Sequence, residues 1–233
     1  MSEHPQRGHT AIAAAIVVAG VLISASMFVA VSGATRTTTR TVTTTTTTMD
    51  QEDPPPSTSS SAHGLALLLS INASQLTPGQ ALDVSLSLTN ILSTTNNLTA
   101  DGGAWASLPE VSLGPCGNLN HGFGYLVAQG FYTASNASSA TPLALYAPGI
   151  YNCPAVFKFS YYLFQPYSYL AALCGSGEGS CIQFPASYSG AVRGSWGADG
   201  SSPGTFASFR PGVYTVLAVA EWGQVDALHF TVT

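Results

Sequence analysis

The sequence predicts an all-β fold, an antiparallel β-sandwich over residues 62–233, preceded by one N-terminal transmembrane helix and a disordered Thr/Ser/Pro-rich linker. Three observations carry this. Beyond Gly33 no segment shows a 3.6-residue apolar period. Short runs of β-branched, Leu and aromatic residues recur there instead, punctuated by Gly, Pro, Asn and Ser. Ahead of them stands one long uncharged apolar run, followed by a tract too polar to fold.

Residues 1–10 form a short tail. Residues 11–33, AIAAAIVVAGVLISASMFVAVSG, contain no charge; as a helix they would extend about 34 Å, enough for a hydrocarbon core of about 30 Å. A cleaved export signal is the alternative, with Ser32 and Ala34 as the small residues before the cut. Either reading exports the rest. The flanking charges do not set the orientation, because Arg7 precedes the run while Arg36 and Arg40 follow it. Thr35 to Thr48 is Thr at eleven of fourteen positions, and Asp50, Glu52, Asp53, three prolines and a Ser/Thr run to Ser61 follow. Such composition buries too little apolar area to offset chain entropy, so 34–61 is expected to be a disordered, O-glycosylated stalk on the outer side of the membrane.

The first strand is expected over Leu65–Ile71, turning through Thr77-Pro78-Gly79 into Ala81–Asn90. In the latter Leu82, Val84, Leu86 and Leu88 alternate with polar residues and face the core. Further strands are expected near 122–131, 155–164, 188–193 and 206–209. The chain closes on a hairpin: Pro211-Gly212 leads into 213–221, and Trp222-Gly223-Gln224 turns into 225–233.

LTPGQALDVSLSLTN (Leu76–Asn90) and FRPGVYTV (Phe209–Val216) resemble immunoglobulin-like surface modules, and EWGQVDALHF (Glu221–Phe230) resembles uncharacterised membrane-anchored extracellular proteins of archaea. The resemblance implies an Ig-like sandwich outside the cell membrane and carries no activity with it.

Only 7% of residues are charged, against about 25% in soluble domains generally; Ser, Thr, Gly and Tyr carry the polarity. A hydroxyl-covered surface keeps its character in acid or under glycans. From Ala62 onward Lys158, Arg193 and Arg210 stand against seven acids, without a basic run. Nucleic acid is therefore not an expected partner, since phosphate neutralisation needs clustered cations.

Sequons at Asn72, Asn97 and Asn136 are candidate N-glycosylation sites. The four cysteines, Cys116, Cys153, Cys174 and Cys181, all lie in the C-terminal domain and allow three pairings. Cys174–Cys181 with Cys116–Cys153 is the expected one, because CGSGEGSC can close a tight Gly-rich loop, and disulfides imply an oxidising compartment. Zinc is not expected: there is no C-x2-C and no His stands beside a Cys. Blue copper would need an axial Met, and Met1, Met27 and Met49 all precede the domain. No cofactor is expected.

Nor is an enzyme. Gly200-Ser201-Ser202-Pro203-Gly204 spells G-x-S-x-G, but Pro203 lacks the N–H that the oxyanion hole requires of the residue after the nucleophile. Asp226 and His229, three apart on one strand, point to opposite faces, so with His121 they are expected to be structural. A contact surface is sought instead in the aromatic run FKFSYYLFQPYSY, where Tyr162, Phe164, Tyr167 and Tyr169 would offer large area at low entropy cost, and in Glu221-Trp222 at a hairpin tip, where a Trp folding back as a cap is the competing expectation. The expected function is a non-enzymatic, single-pass cell-surface module for adhesion, envelope structure or partner binding, with a surface protein or glycan as partner. Two alternatives are a pilin-like filament subunit, for which Arg7-Gly8 before the apolar run is a prepilin-like cleavage context, and an extracellular inhibitor or ligand-binding domain.

Overall fold

Alternation of apolar and hydroxyl residues decides the first sheet. In β2 (Leu65–Ile71) and β4 (Leu82–Asn90), Leu67, Leu69 and Ile71 lie opposite Leu88, Leu86 and Val84 and are all buried. The intervening residues face outward. Flanked by β1 (Ser57–Ala62) and β10 (Ser187–Val192), this sheet has the order β1-β2-β4-β10. Its outer face carries a row of four serines, Ser57, Ser70, Ser85 and Ser189, one per strand, and Ser85 Oγ donates to Ser189 Oγ at 3.3 Å. The uncharged polarity of the composition thus becomes a hydroxyl-lined wall.

A computed structural model describes residues 54–99, 111–117, 121–153, 159–175, 181–197 and 204–233, with the backbone alone at 159 and 160. They fall within one compact unit, residues 52–233. The predicted tail, the 11–33 helix and most of the 34–61 stalk lie outside the described residues. Among these, no helix is long and apolar enough to cross a membrane.

The second sheet, β3-β14-β13-β6, joins β3 (Gln75–Leu76), β6 (Phe123–Gln129), β13 (Gly212–Ala220) and β14 (Val225–Val232); β3 runs parallel to β14 and the other pairs are antiparallel. β13 reads GVYTVLAVA, apolar at nearly every position, because both of its faces are covered. Tyr214, Val216, Ala218 and Ala220 join the main core with β2 and β4. Leu217 and Val219 pack outward with Leu126, Ala128, Val111, Ala137 and Ala140 in a second cluster, where a short 3-10 helix over Ala134–Ser139 folds back over the sheet.

The third sheet, β5-β7-β8-β9, comprises β5 (Asn96–Thr99), β7 (Phe159–Phe164), β8 (Leu170–Gly175) and β9 (Cys181–Pro185). Its Tyr162, Phe164, Ala171 and Leu173 enter the main core. A ribbon of β11 (Gly194–Trp196) and β12 (Phe206–Ser208) completes the described strands.

The domain is thus all-β, dominated by antiparallel sheets, and every predicted strand overlaps an observed one, with residues 155–158 of the predicted 155–164 strand outside the described residues. One boundary is corrected: the disordered stalk expected to reach Ser61 gives way at Ser57 to β1, which pairs with β2 through six register positions. Its hydroxyl side chains carry no apolar period, but His63 and Gly64, with φ of 53° and 75°, form the two-residue turn that folds it back. Asp226 Oδ2 then accepts the Ser60 N–H at 3.1 Å.

Tyr214, two residues after Gly212, donates its hydroxyl to the Arg210 carbonyl at 2.8 Å and stacks on Phe230. Tyr214→Phe keeps the ring and removes that bond, so a loss of about 1 kcal/mol, read as about 2–4 °C in Tm, is expected by calorimetry. An unchanged Tm would show that the bond holds nothing.

Candidate functional site

The hairpin tip at Glu221–Gln224 was one candidate for ligand contact, and its geometry makes it a clasp. The turn closes with Gly223 N donating to Ala220 O and Ala220 N to Gln224 O, both at 3.0 Å, with Gly223 at φ 94°. Trp222 folds back and sets its ring edge-on against Tyr162 and Phe164, with centroids at 5.1 and 5.5 Å. Its Nε1 donates to Thr99 O at 3.2 Å. The cap expectation is the one realised.

Glu221 is buried, and its N–H donates to Gly122 O at 2.8 Å. Burial, and then the Glu221 carboxylate, push the Tyr162 hydroxyl well above the usual tyrosine range. Gln224, also buried, donates Nε2 to the carbonyls of Ala62 at 2.9 Å and Leu65 at 3.4 Å, tying the tip to the β1–β2 turn. This tip therefore holds three sheets together. Tyr162 and Phe164, 4% and 0% exposed, are corrected from candidate contact residues to core. The reason lies in their strand: both faces of β7 carry large apolar residues, and the face that meets Leu98, Leu173 and Trp222 is the inner one.

Tyr167 and Tyr169 are different, at 71% and 49% exposed. They occupy the β7–β8 turn, which closes with Gln165 N donating to Leu170 O at 2.9 Å and Leu170 N to Ser168 Oγ at 3.0 Å. Tyr167 sits at φ 49°, a left-handed conformation unusual for an aromatic residue and sustained only by its surroundings. Two backbone bonds supply them: Tyr167 N donates to Leu92 O at 3.2 Å and Asn90 N to Ser168 O at 2.9 Å. Asn90 itself is fully buried. Its Nδ2 donates to Thr94 O and Phe164 O while its Oδ1 accepts the Leu92 N–H, so one side chain fastens the 91–94 loop to the aromatic turn.

Tyr167 and Tyr169 stand exposed on this turn, as do Leu170 beside them and Ile91 and Leu92 on the loop it is fastened to. Beside it runs a groove of about 600 Å³ lined by Gln165, Pro166, Ser168, Leu170, Ala171, Ala172 and Gln183, none of them charged. Such a surface offers ring faces, aliphatic area and amide hydrogen bonds, the means of contact with a protein or a sugar. Sequence reasoning reached the two tyrosines and missed Ile91 and Leu92, which follow a core strand and are placed by tertiary hydrogen bonds, Ile91 N to Gly64 O and Tyr167 N to Leu92 O.

The two histidines His229 and His121 are packed against aromatic rings. His229 Nε2 lies 2.8 Å from Tyr132 O, and its ring stacks on Phe131 at 3.9 Å. His121 packs edge-on against Phe123 and Phe184, and burial lowers its pKa. A tyrosine cluster that sequence reasoning missed joins Tyr125 and Tyr188, hydroxyls 3.4 Å apart, with Tyr146, whose hydroxyl burial pushes up to about 12. Tyr146 borders a cleft of about 520 Å³ with Ser112, Pro115 and Pro142. Among the described residues no group of three or more His, Cys, Asp and Glu is placed to hold a metal ion. Of the G-x-S-x-G segment, 200–203 lie outside the described residues.

Both expected disulfides close, Cys116–Cys153 and Cys174–Cys181, with Cα atoms 5.6 and 4.1 Å apart. They point to an oxidising, extracellular environment. Asn72, Asn97 and Asn136 are all exposed.

Buried Asp226 gives the domain a pH signature. Burial raises its carboxyl above the ordinary range, with the Ser60 hydrogen bonds opposing in part. A carboxyl whose folded pKa exceeds its unfolded value contributes stability that is complete below about pH 4 and lost as pH rises through the folded value. Asp226→Asn keeps an acceptor for Ser60 and removes the charge. Its urea-unfolding free energy should gain on the native chain between pH 4 and pH 7; parallel profiles would refute the assignment.

No protein-family model, no curated protein and no solved structure matches this chain.

Proposed function

We propose that the chain is a non-enzymatic cell-surface module of archaeal type, an Ig-like domain displayed outside the cell by the 11–33 helix and the Thr-rich stalk for adhesion, envelope structure or partner binding. The observation that carries the reading is the exposed Tyr167–Tyr169 platform, held in a left-handed turn by buried Asn90 on a scaffold with two disulfides. Exposed aromatics on a fixed backbone present contact area whose ordering cost is already met by the fold.

The strand order supports the Ig-like assignment. β2, β4 and β10 face β3, β14, β13 and β6, the short β3 runs parallel to the last strand, and Tyr214 bonds back to Arg210 as in a tyrosine corner. Neutral polarity suits display: the hydroxyl wall of the first sheet stays hydrated without charge.

The test is retention of the full chain on isolated cell envelopes after detergent extraction, compared with a Tyr167→Ser/Tyr169→Ser variant. Both positions are exposed, so the variant is expected to keep its Tm while its envelope affinity falls by about tenfold or more, the loss of one contact cluster. Undiminished binding would remove the platform from the function.

A further inference from the structure

The third sheet places one sequon, Asn97, on the face that carries the uncharged groove. In β5, Leu98 packs on the core and Asn97 points outward; β7 presents Leu163 directly opposite Asn97. β8 then sets Ala172 opposite Leu163, and β9 sets Gln183 opposite Ala172. Strand alternation sets these four on the face opposite the core residues Tyr162, Phe164 and Leu173, with Ala172, only 8% exposed, at the bottom of the groove it lines. In the adjacent row Gln165 pairs with Leu170, which is half exposed. The uncharged groove lined by Gln165, Leu170, Ala172 and Gln183 begins two strand spacings, about 10 Å, from Asn97.

The chemistry of this face is that of a sugar's complement. A pyranose ring has an apolar C–H face and a rim of hydroxyl and acetamido groups. Leu163, Ala172 and Leu170 supply an aliphatic floor, while the Gln165 and Gln183 amides supply donors and acceptors. Asn72 has its amide engaged by Asp83 through both Nδ2 and Oδ1. Asn136 lies on the 3-10 helix with Oδ1 accepting from Thr133 N, among exposed Ser135, Ser138 and Ser139.

We infer that the outward face of the third sheet is the seat of an N-linked glycan on Asn97, whose inner sugars lie across Leu163 and Ala172 toward Gln183 and Leu170. This rests on the reading of the chain as an exported glycoprotein. It gives the groove an occupant from the same molecule and leaves Tyr167 and Tyr169 as the part of this end open to partners.

The test uses the full chain made in a eukaryotic secretory host, so that sequons receive high-mannose glycans, followed by endoglycosidase cleavage of the folded protein monitored by peptide mass spectrometry. Covering about 60 Å² of apolar surface corresponds to about tenfold in the seated-to-free equilibrium. Cleavage at Asn97 is therefore expected to be about tenfold slower than at Asn136. The two rates should converge in a Leu170→Ser/Gln183→Ala variant, whose substitutions are both on the surface, and in urea. Equal rates in the folded native chain, or an unoccupied Asn97 beside a glycosylated Asn72 or Asn136, would overturn the seat alone. Absence of glycan at all three sites would overturn both the seat and the glycoprotein reading.

Discussion

Phe164→Ala is expected to destabilise the domain by about 3–5 kcal/mol, the range for removing a fully buried aromatic ring. The ring is 0% exposed. Trp222 stands edge-on to it, and its own carbonyl receives the Asn90 amide. Its loss opens a cavity where the third sheet meets the clasp of the β13–β14 turn, a region fixed from several sides and so poorly able to collapse. Tyr167→Ala, three residues later, removes a ring that is 71% exposed and should change stability by no more than about 0.5 kcal/mol. Urea unfolding of both variants separates the roles: a costly Tyr167→Ala or a neutral Phe164→Ala would invert the division between core and platform. Against a total stability of about 5–15 kcal/mol, the first variant would be partly unfolded at growth temperature while the second would be lost only to binding.

That division marks the limit of what the chain discloses before folding. β2 and β4 were legible because Leu and Val alternate with Ser and Thr, leaving one register that buries the apolar set. β7 was legible as a strand but not as to its inner face, since FSYYLF places large side chains on both sides and only the partners Leu98 and Leu173 choose between them. β1 was hidden for the opposite reason. STSSSA has no apolar period, and its order comes from a two-residue turn and from backbone groups reaching β2 and Asp226. Short β8 and β9, LAALCG and CIQFP, flank Cys174 and Cys181 and went unread as strands, although the disulfide between them was legible from the brevity of its loop. For the candidate site the asymmetry is the same: Tyr167 and Tyr169 stand in an aromatic run that sequence exposes, whereas Ile91, Leu92 and the Asn90 fastening depend on contacts between distant segments.

Replacing Cys116 and Cys153 by Ser is expected to cost about 4 kcal/mol, and replacing Cys174 and Cys181 about 2.5 kcal/mol, if loop-closure entropy of the unfolded chain sets the scale. The difference follows from sequence separations of 37 and 7 residues. The longer loop also carries structural weight in the folded state. Cys116 follows Val111 and Ser112; the first belongs to the cluster outside the second sheet, and the second bridges to Tyr125 in β6. Cys153 anchors the far end of the segment that contains the 3-10 helix covering that same sheet face. Freed of the bond, both covering segments gain chain entropy, and β13, apolar on both faces, loses part of its shelter. Urea midpoints of the two double variants, read beside the native chain with and without reductant, test the ordering. If the Cys174/Cys181 variant proves the weaker, loop entropy does not govern, and the short bond between β8 and β9 is instead what secures the sheet on which Asn97 and the aromatic turn stand.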